Sequence, residues 1–256
     1  MKDVATISRR RGLAGAANLL LVGQATALGS QANSAVALAI IGTGGRGRFD
    51  GSLFAKDPRA RIAALCDIYS DQIDRAKTQI PGAQSARVYK DYRELLAQAD
   101  IDAVLIATPV FLHPEHFEAA VKARKHIYCE KPAAADVAGV KRLLRAAQQA
   151  DPTRHIVFGF QARFSPEYRA AQQLVSAGRL GDLLFMEAHF LRTGAAAKPG
   201  QSPYPPDEQR IRHWGVWRET SGDFIVEQDC HALDVLNWFA GAHPLKASGT
   251  GGRIKR

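Results

Sequence analysis

Six residues, Gly42-Thr43-Gly44-Gly45-Arg46-Gly47, interrupt an apolar stretch with a pattern that could hold the phosphates of a dinucleotide. They follow Val36-Ala37-Leu38-Ala39-Ile40-Ile41, and an acid, Asp67, closes the next apolar run. A strand, a tight glycine turn, a helix start and an acid at the next strand tip together form a dinucleotide-binding fingerprint. Gly42 is read as the sharp turn, Gly44 as the approach to a pyrophosphate, and Gly47 as the close helix–strand contact. The helix from Arg46 to about Lys56 would aim its first N–H groups and its positive dipole end at those phosphates. Asp67 would accept hydrogen bonds from ribose hydroxyls and repel a 2′-phosphate, and Ile68-Tyr69-Ser70-Asp71 supplies no cation to hold one. NAD is therefore the expected cofactor, ahead of NADP.

Groups able to move a proton stand further along. Glu227 and His231 are four residues apart, hence neighbours on one face of a helix expected from about Val226 to Phe239. A neighbouring carboxylate favours imidazolium and orients the ring, which suits a base working near neutral pH. A helix-cap acid and a histidine packed beside Trp238 and Phe239 is the competing reading. Three segments leave the ends of apolar runs: Ala107-Thr108-Pro109-Val110-Phe111-Leu112-His113, Cys129-Glu130-Lys131-Pro132 and Gly159-Phe160-Gln161-Ala162-Arg163-Phe164. Open α/β sheets bind ligands beyond the carboxyl ends of their strands, so these segments would share one edge with the glycine turn.

The elements that would carry these residues alternate. Short apolar runs recur at Arg61–Cys66, Ala86–Tyr89, Ala103–Ala107, His126–Cys129 and His155–Phe158, with helical patterns at Ser70–Gln79, Tyr92–Ala99, Pro114–Arg124 and Ala134–Ala150. That alternation predicts a doubly wound parallel sheet over residues 33–158. From residue 159 to 256 the character changes: a helix (Pro166–Ala177), a long strand (Asp182–Arg192) and a Gly/Pro-rich loop precede the helix that carries His231. Arg192, His213, Trp214, Trp217 and Arg218 suit a carbohydrate pocket or a domain interface equally well.

Residues 1–32 read as an address. Ser8-Arg9-Arg10-Arg11 precedes a small-residue and Leu-rich run ending near Ala25-Thr26-Ala27 and Gln31-Ala32, which describes a removable export signal of twin-arginine type. The mature protein would then be periplasmic or exported, with no stable membrane insertion. The 256-residue chain has a formal net charge of +9, of which residues 1–32 hold four basic and one acidic side chain. The remaining surplus is spread along the chain and does not indicate nucleic-acid binding. Cys66, Cys129 and Cys230 show no metal-ligand spacing, and the first two read as buried thiols.

From about Val36 onward the chain resembles the Gfo/Idh/MocA family of oxidoreductases, the glucose–fructose oxidoreductase and inositol dehydrogenase group. Glu130-Lys131-Pro132 is the most specific piece of that likeness. The resemblance implies an α/β protein: an N-terminal Rossmann dinucleotide-binding domain followed by an α+β substrate domain, here incomplete. It implies hydride transfer between a nicotinamide cofactor and a sugar, a polyol or a derivative. Lys131 would contact the substrate hydroxyl and help move its proton, Glu130 would orient Lys131, and Pro132 would fix the turn. Thr108 and Pro109 would line the nicotinamide side, with His113 supporting their loop, and Arg163 would bind cofactor carboxamide or substrate. His231 matches the family's proton acceptor, with Glu227 where the family carries Asp. Family members have a larger second domain, so the chain is expected to be truncated, and to form a homo-oligomer where that domain is complete. Two other classes share the scaffold: glycosidases that use NAD transiently, and dinucleotide-binding proteins without turnover.

Overall fold

The computed structural model describes residues 35–191 and 203–252, so the expected signal at 1–32 and Arg192 lie outside the described residues. Six parallel strands form one sheet: β1 (Val36–Ile41), β2 (Ala60–Cys66), β3 (Arg87–Tyr89), β4 (Ala103–Ile106), β5 (His126–Cys129) and β6 (Ile156–Phe158). Their order, β3-β2-β1-β4-β5-β6, reverses direction between β1 and β4. That reversal opens a crevice where doubly wound sheets bind ligands.

The central strands are apolar on both faces because both are covered. Along β1, Ala37, Ala39 and Ile41 face one core with Phe117, Leu143 and Ile127, while Leu38 and Ile40 face the other with Leu65, Ile73 and Ile80. Burial on both sides is why these strands read as unbroken apolar runs instead of an alternation. The flanking helices are α1 (Gly45–Phe54), α2 (Ser70–Gln79), α3 (Tyr92–Leu96), α4 (His113–Lys122) and α5 (Val137–Gln148). Local chemistry sets two of their starts, since Asp91 caps α3 and Asp136 caps α5 through side-chain hydrogen bonds.

The register matters most for function. Ile41 pairs with both Cys66 and Ile106, Cys66 with Tyr89, Ile106 with Cys129, and Cys129 with Phe158. The carboxyl ends of all six strands therefore stand in one row, and the glycine turn, Asp67, Thr108 and Lys131 leave from the same edge.

Among the described residues after β6 the regular structure is helical: α6 (Pro166–Ser176), α7 (Pro206–Arg212), α8 (Arg218–Ser221), α9 (Asp223–Glu227) and α10 (Cys230–Ala240). Two expectations fail here. The segment 182–191 is not a strand: among the described residues nothing pairs with it, and a strand exists only as a paired state. Its side chains Leu184 and Phe185 are 94% and 79% exposed. The single helix expected from Val226 to Phe239 is two helices, α9 and α10, separated at Gln228-Asp229.

Candidate functional site

The glycine turn folds as its sequence requires. Gly42 has φ +88°, and a Cβ there would stand 2.7 Å from the Thr108 amide nitrogen. Gly47 packs so closely that a Cβ would lie 2.0 Å from the Gly42 carbonyl oxygen. Gly44 and Gly45, by contrast, have no atom within 4 Å of where a Cβ would be. The turn is thus tight against the protein at its ends and open at its middle, where α1 begins without a side-chain cap. An uncapped helix start beside open space is a fitting seat for a pyrophosphate. Thr43 is fully buried and does not line the cavity; it ties the turn to β2 instead. Asp67 Oδ2 accepts from the Thr43 backbone nitrogen at 2.8 Å and from its hydroxyl at 3.1 Å, and Oδ1 accepts from the Tyr69 nitrogen at 3.0 Å. Asp67 therefore braces the turn, and a carboxylate still has acceptor capacity left for a ribose hydroxyl.

One cavity of about 1100 Å³ runs along the strand-end edge. Its walls include Gly42, Gly44, Gly45, Arg46 and Asp67 at one end, and Thr108, Pro109, His113, Glu130, Lys131, Glu227 and His231 at the other. Residues up to 190 positions apart in sequence thus share a single wall. His113 is buried and bridges two loops, with Nε2 2.9 Å from the Thr108 carbonyl and Nδ1 2.8 Å from the Pro132 carbonyl. Burial holds its pKa below the ordinary histidine value, and a neutral ring donates to only one of those oxygens. The Lys131–Pro132 peptide beyond it is cis. His116, one turn on, meets Thr108 Oγ1 at 3.0 Å and packs on Tyr92 with centroids 4.4 Å apart.

Lys131 points across the cavity to α9. Its Nζ donates to the Glu227 carbonyl at 2.5 Å and to Glu227 Oε1 at 3.1 Å. An ammonium has three N–H donors, so one remains for a ligand oxygen. Glu227 therefore positions Lys131, which corrects the expectation that it acts on His231 from the same helix: the break at Gln228-Asp229 separates the two elements. The expected push toward imidazolium is reversed as well. Burial and the Lys131 charge lower the His231 pKa, with Glu130 and Asp234 opposing. The ring stacks on Phe190 at 5.8 Å, and its Nδ1 is buried without a hydrogen bond among the described residues. A neutral imidazole on the cavity wall is a proton acceptor.

Two placements differ from expectation. Arg163 does not line the cavity; it forms a two-pronged ion pair with Asp234 of α10, with contacts of 2.8 Å, and lies over Trp238. Its fork is spent on holding α10 to the end of the sheet. Arg212, which no local pattern pointed to, enters the Asp67 end of the cavity from α7. It stacks over Tyr69 at 3.7 Å and Tyr204 at 4.2 Å, and pairs with Asp71 at 2.8 Å and Glu208 at 2.7 Å. A cation thus does stand near the Asp67–Asp71 stretch, brought there by tertiary structure. Two carboxylates already satisfy it, so it makes a poor anchor for a 2′-phosphate.

Among the described residues no three His, Cys, Asp or Glu are placed to hold a metal, and no helix is long and apolar enough to cross a membrane. The three cysteines are free thiols; Cys66 and Cys129 are buried, and burial pushes the Cys66 thiol up to about 12.

Comparison with known proteins matches this geometry. The GFO/IDH/MocA oxidoreductase model, described as an NAD-binding Rossmann fold, matches residues 36–158, and the GFO/IDH/MocA C-terminal domain model matches residues 168–256. An uncharacterized oxidoreductase, YrbE of Bacillus subtilis, is 29% identical over 79% of this chain and 53% of its own length. Myo-inositol 2-dehydrogenase of Thermotoga maritima is 30% identical over 78% of this chain and 54% of its own. Among solved structures, scyllo-inositol dehydrogenase from Lactobacillus casei, with bound NAD(H) and scyllo-inositol, aligns with a TM-score of 0.66 at 26% identity. That alignment covers 81% of this chain and 56% of that one. The chain spans about half the length of the relatives it matches.

Proposed function

We propose, since the chain belongs to the GFO/IDH/MocA family of oxidoreductases, that its cavity holds NAD and a polyol or sugar for transfer of a hydride from a secondary alcohol carbon. The observation that carries this reading is the single cavity in which a phosphate-fitting turn, Asp67, a tethered Lys131 and a neutral His231 share one wall. Gly44, Gly45 and the start of α1 would hold the pyrophosphate, Asp67 a ribose hydroxyl, and Thr108 and Pro109 the nicotinamide end. NAD, when bound, supplies the hydride acceptor; the protein supplies placement and proton handling. Lys131, held by Glu227, donates a hydrogen bond to the substrate hydroxyl and stabilises the developing alkoxide. His231 accepts the hydroxyl proton, for which its lowered pKa keeps it unprotonated. Loss of that proton makes the adjacent C–H a better hydride donor, so both groups act on the same carbon centre.

The substrate class follows the relatives, two of which are named as acting on inositols, and a cyclic polyol fits a wall where the Lys131 ammonium stands near the neutral His231 ring. Self-association is part of the same proposal, supported by the exposed apolar side chains Leu184, Phe185, Leu191 and Leu245. So is export through the twin-arginine route, supported by Ser8-Arg9-Arg10 and the small-residue run that follows. The test is incubation with NAD and a panel of polyols and sugars deuterated at the carbinol carbon. Deuterium appearing in the reduced cofactor supports the assignment; NAD binding without transfer from any of them would refute it.

A further inference from the structure

Two buried carboxyl groups joined by a half-exposed arginine stand beside Lys131. Asp50, on the inner face of α1, is 4% exposed, and Glu130 is 3% exposed. Arg46, one turn earlier on α1, reaches both: its Nε lies 3.0 Å from Asp50 Oδ2, and its Nη2 donates to Glu130 Oε1 at 2.9 Å. That Asp50 oxygen is buried without a hydrogen bond among the described residues, and one guanidinium meets both carboxyl groups. Shape confines Glu130 as well, because a Cβ on Gly159 would stand 2.4 Å from its Oε1. The other Glu130 oxygen accepts from the Lys131 backbone nitrogen at 3.2 Å.

Charge does not balance if both acids are ionised. Two buried carboxylates facing one guanidinium leave one negative charge that this guanidinium does not match. Neither carboxylate can donate to the other, whereas a single proton supplies the donor and removes the excess charge.

We propose that Asp50 is a positioning residue that shares one proton with Glu130, so that a neutral Asp50–Glu130–Arg46 trio clamps the phosphate-binding turn to the loop carrying Lys131. The groups facing the pair are Arg46 on α1, Tyr128 on β5, Lys131 next to Glu130 in the chain, and His231 on α10. Burial, then the Glu130 charge, push Asp50 up to about 7, with Arg46 opposing. Below that pH the trio is neutral. Above it the proton leaves, and the trio turns negative beside the seat of a negatively charged pyrophosphate. Cofactor affinity is therefore highest on the acid side of neutrality and falls as the pH rises.

The cofactor readout rests on the function proposed above; the proton count of the trio does not. Calorimetric titration of the full chain with NAD at pH 6 and pH 8.5 is expected to show affinity falling about three- to tenfold, the effect of up to one pKa unit of coupling. Asp50→Asn, whose amide donates without titrating, is expected to bind with no such pH dependence. Equal affinity of the wild type at both pH values, or the same slope in D50N, would overturn the inference. If NAD does not bind at all, the functional reading fails, and carboxyl ¹³C NMR of the cofactor-free chain decides the trio by itself. One aspartate titrating near neutrality in the wild type supports it; every aspartate titrating in the ordinary carboxylate range overturns it.

Discussion

Two alanine substitutions three positions apart in the glycine turn are expected to separate folding from cofactor binding. A methyl group at Gly47 would lie 2.0 Å from the Gly42 carbonyl oxygen, and both atoms' carriers are backbone. To reach ordinary contact, α1 must slide from β1 by more than about 1 Å. Overpacking of this kind costs about 1–3 kcal/mol, and no flexible side chain is available to absorb it. Gly47→Ala should therefore lose stability and NAD affinity together. Gly44 is the contrast, because its φ of −61° suits any residue and no atom lies within 4 Å of the added methyl. Gly44→Ala is expected to change stability by about 1 kcal/mol at most, the scale of a helix-start substitution. Yet its methyl would occupy the space assigned to the pyrophosphate, so a clash of about 1–3 kcal/mol falls on the complex alone. That corresponds to roughly a five- to 150-fold loss of NAD affinity. Urea unfolding measures the first quantity and calorimetric titration the second. A G44A protein that binds NAD as tightly as the wild type would refute the placement of the phosphates.

The remaining expectations concern side chains. Lys131→Ala and His231→Ala should each lower turnover by about 10²- to 10⁴-fold with little change in NAD affinity, and near wild-type rates would remove their assigned roles. Asp67→Ala should narrow the NAD preference over NADP in competitive titrations and also loosen the turn, since Thr43 loses its acceptor; tighter wild-type binding of NADP would contradict the cofactor assignment. Burial depresses His116 from 6.5 to about 4, so the unfolded chain takes up that proton first as the pH falls. Its contribution, up to about 3 kcal/mol, is present above pH 6.5 and lost toward pH 4, and His116→Phe should flatten that limb of the stability profile. Replacing Arg9 and Arg10 by Lys should leave the precursor in the cytoplasm, and fractionation showing an unchanged distribution would end the export proposal.

The sheet was legible because its strands are buried on both faces and bounded by turn residues: Val36–Ile41 and His126–Cys129 carry the same limits in sequence and structure. The glycine turn was legible for the same local reason, Gly42 and Gly47 each answering a backbone constraint. Beyond residue 159 the code is less local. No Gly or Pro marks the break at Gln228-Asp229, so a continuous apolar period read as one helix and assigned Glu227 to His231. Its partner shown by the structure, Lys131, is 96 positions away. The segment 182–191 reads as a strand in sequence, but a sequence states only that a segment could pair. Arg212 and Asp50 were invisible for a related reason: their meaning lies in Asp71 and Glu130, which only the fold brings beside them.

The central claim is that one strand-end cavity presents a bound dinucleotide to Lys131 and His231, and a crystal structure of the chain with NAD tests it most directly. The pyrophosphate is expected against Gly44 and Gly45, the adenosine ribose beside Asp67, and the nicotinamide ring between Thr108 and the Lys131–His231 wall. A dinucleotide seated elsewhere, or one whose nicotinamide points away from Lys131 and His231, would contradict the account.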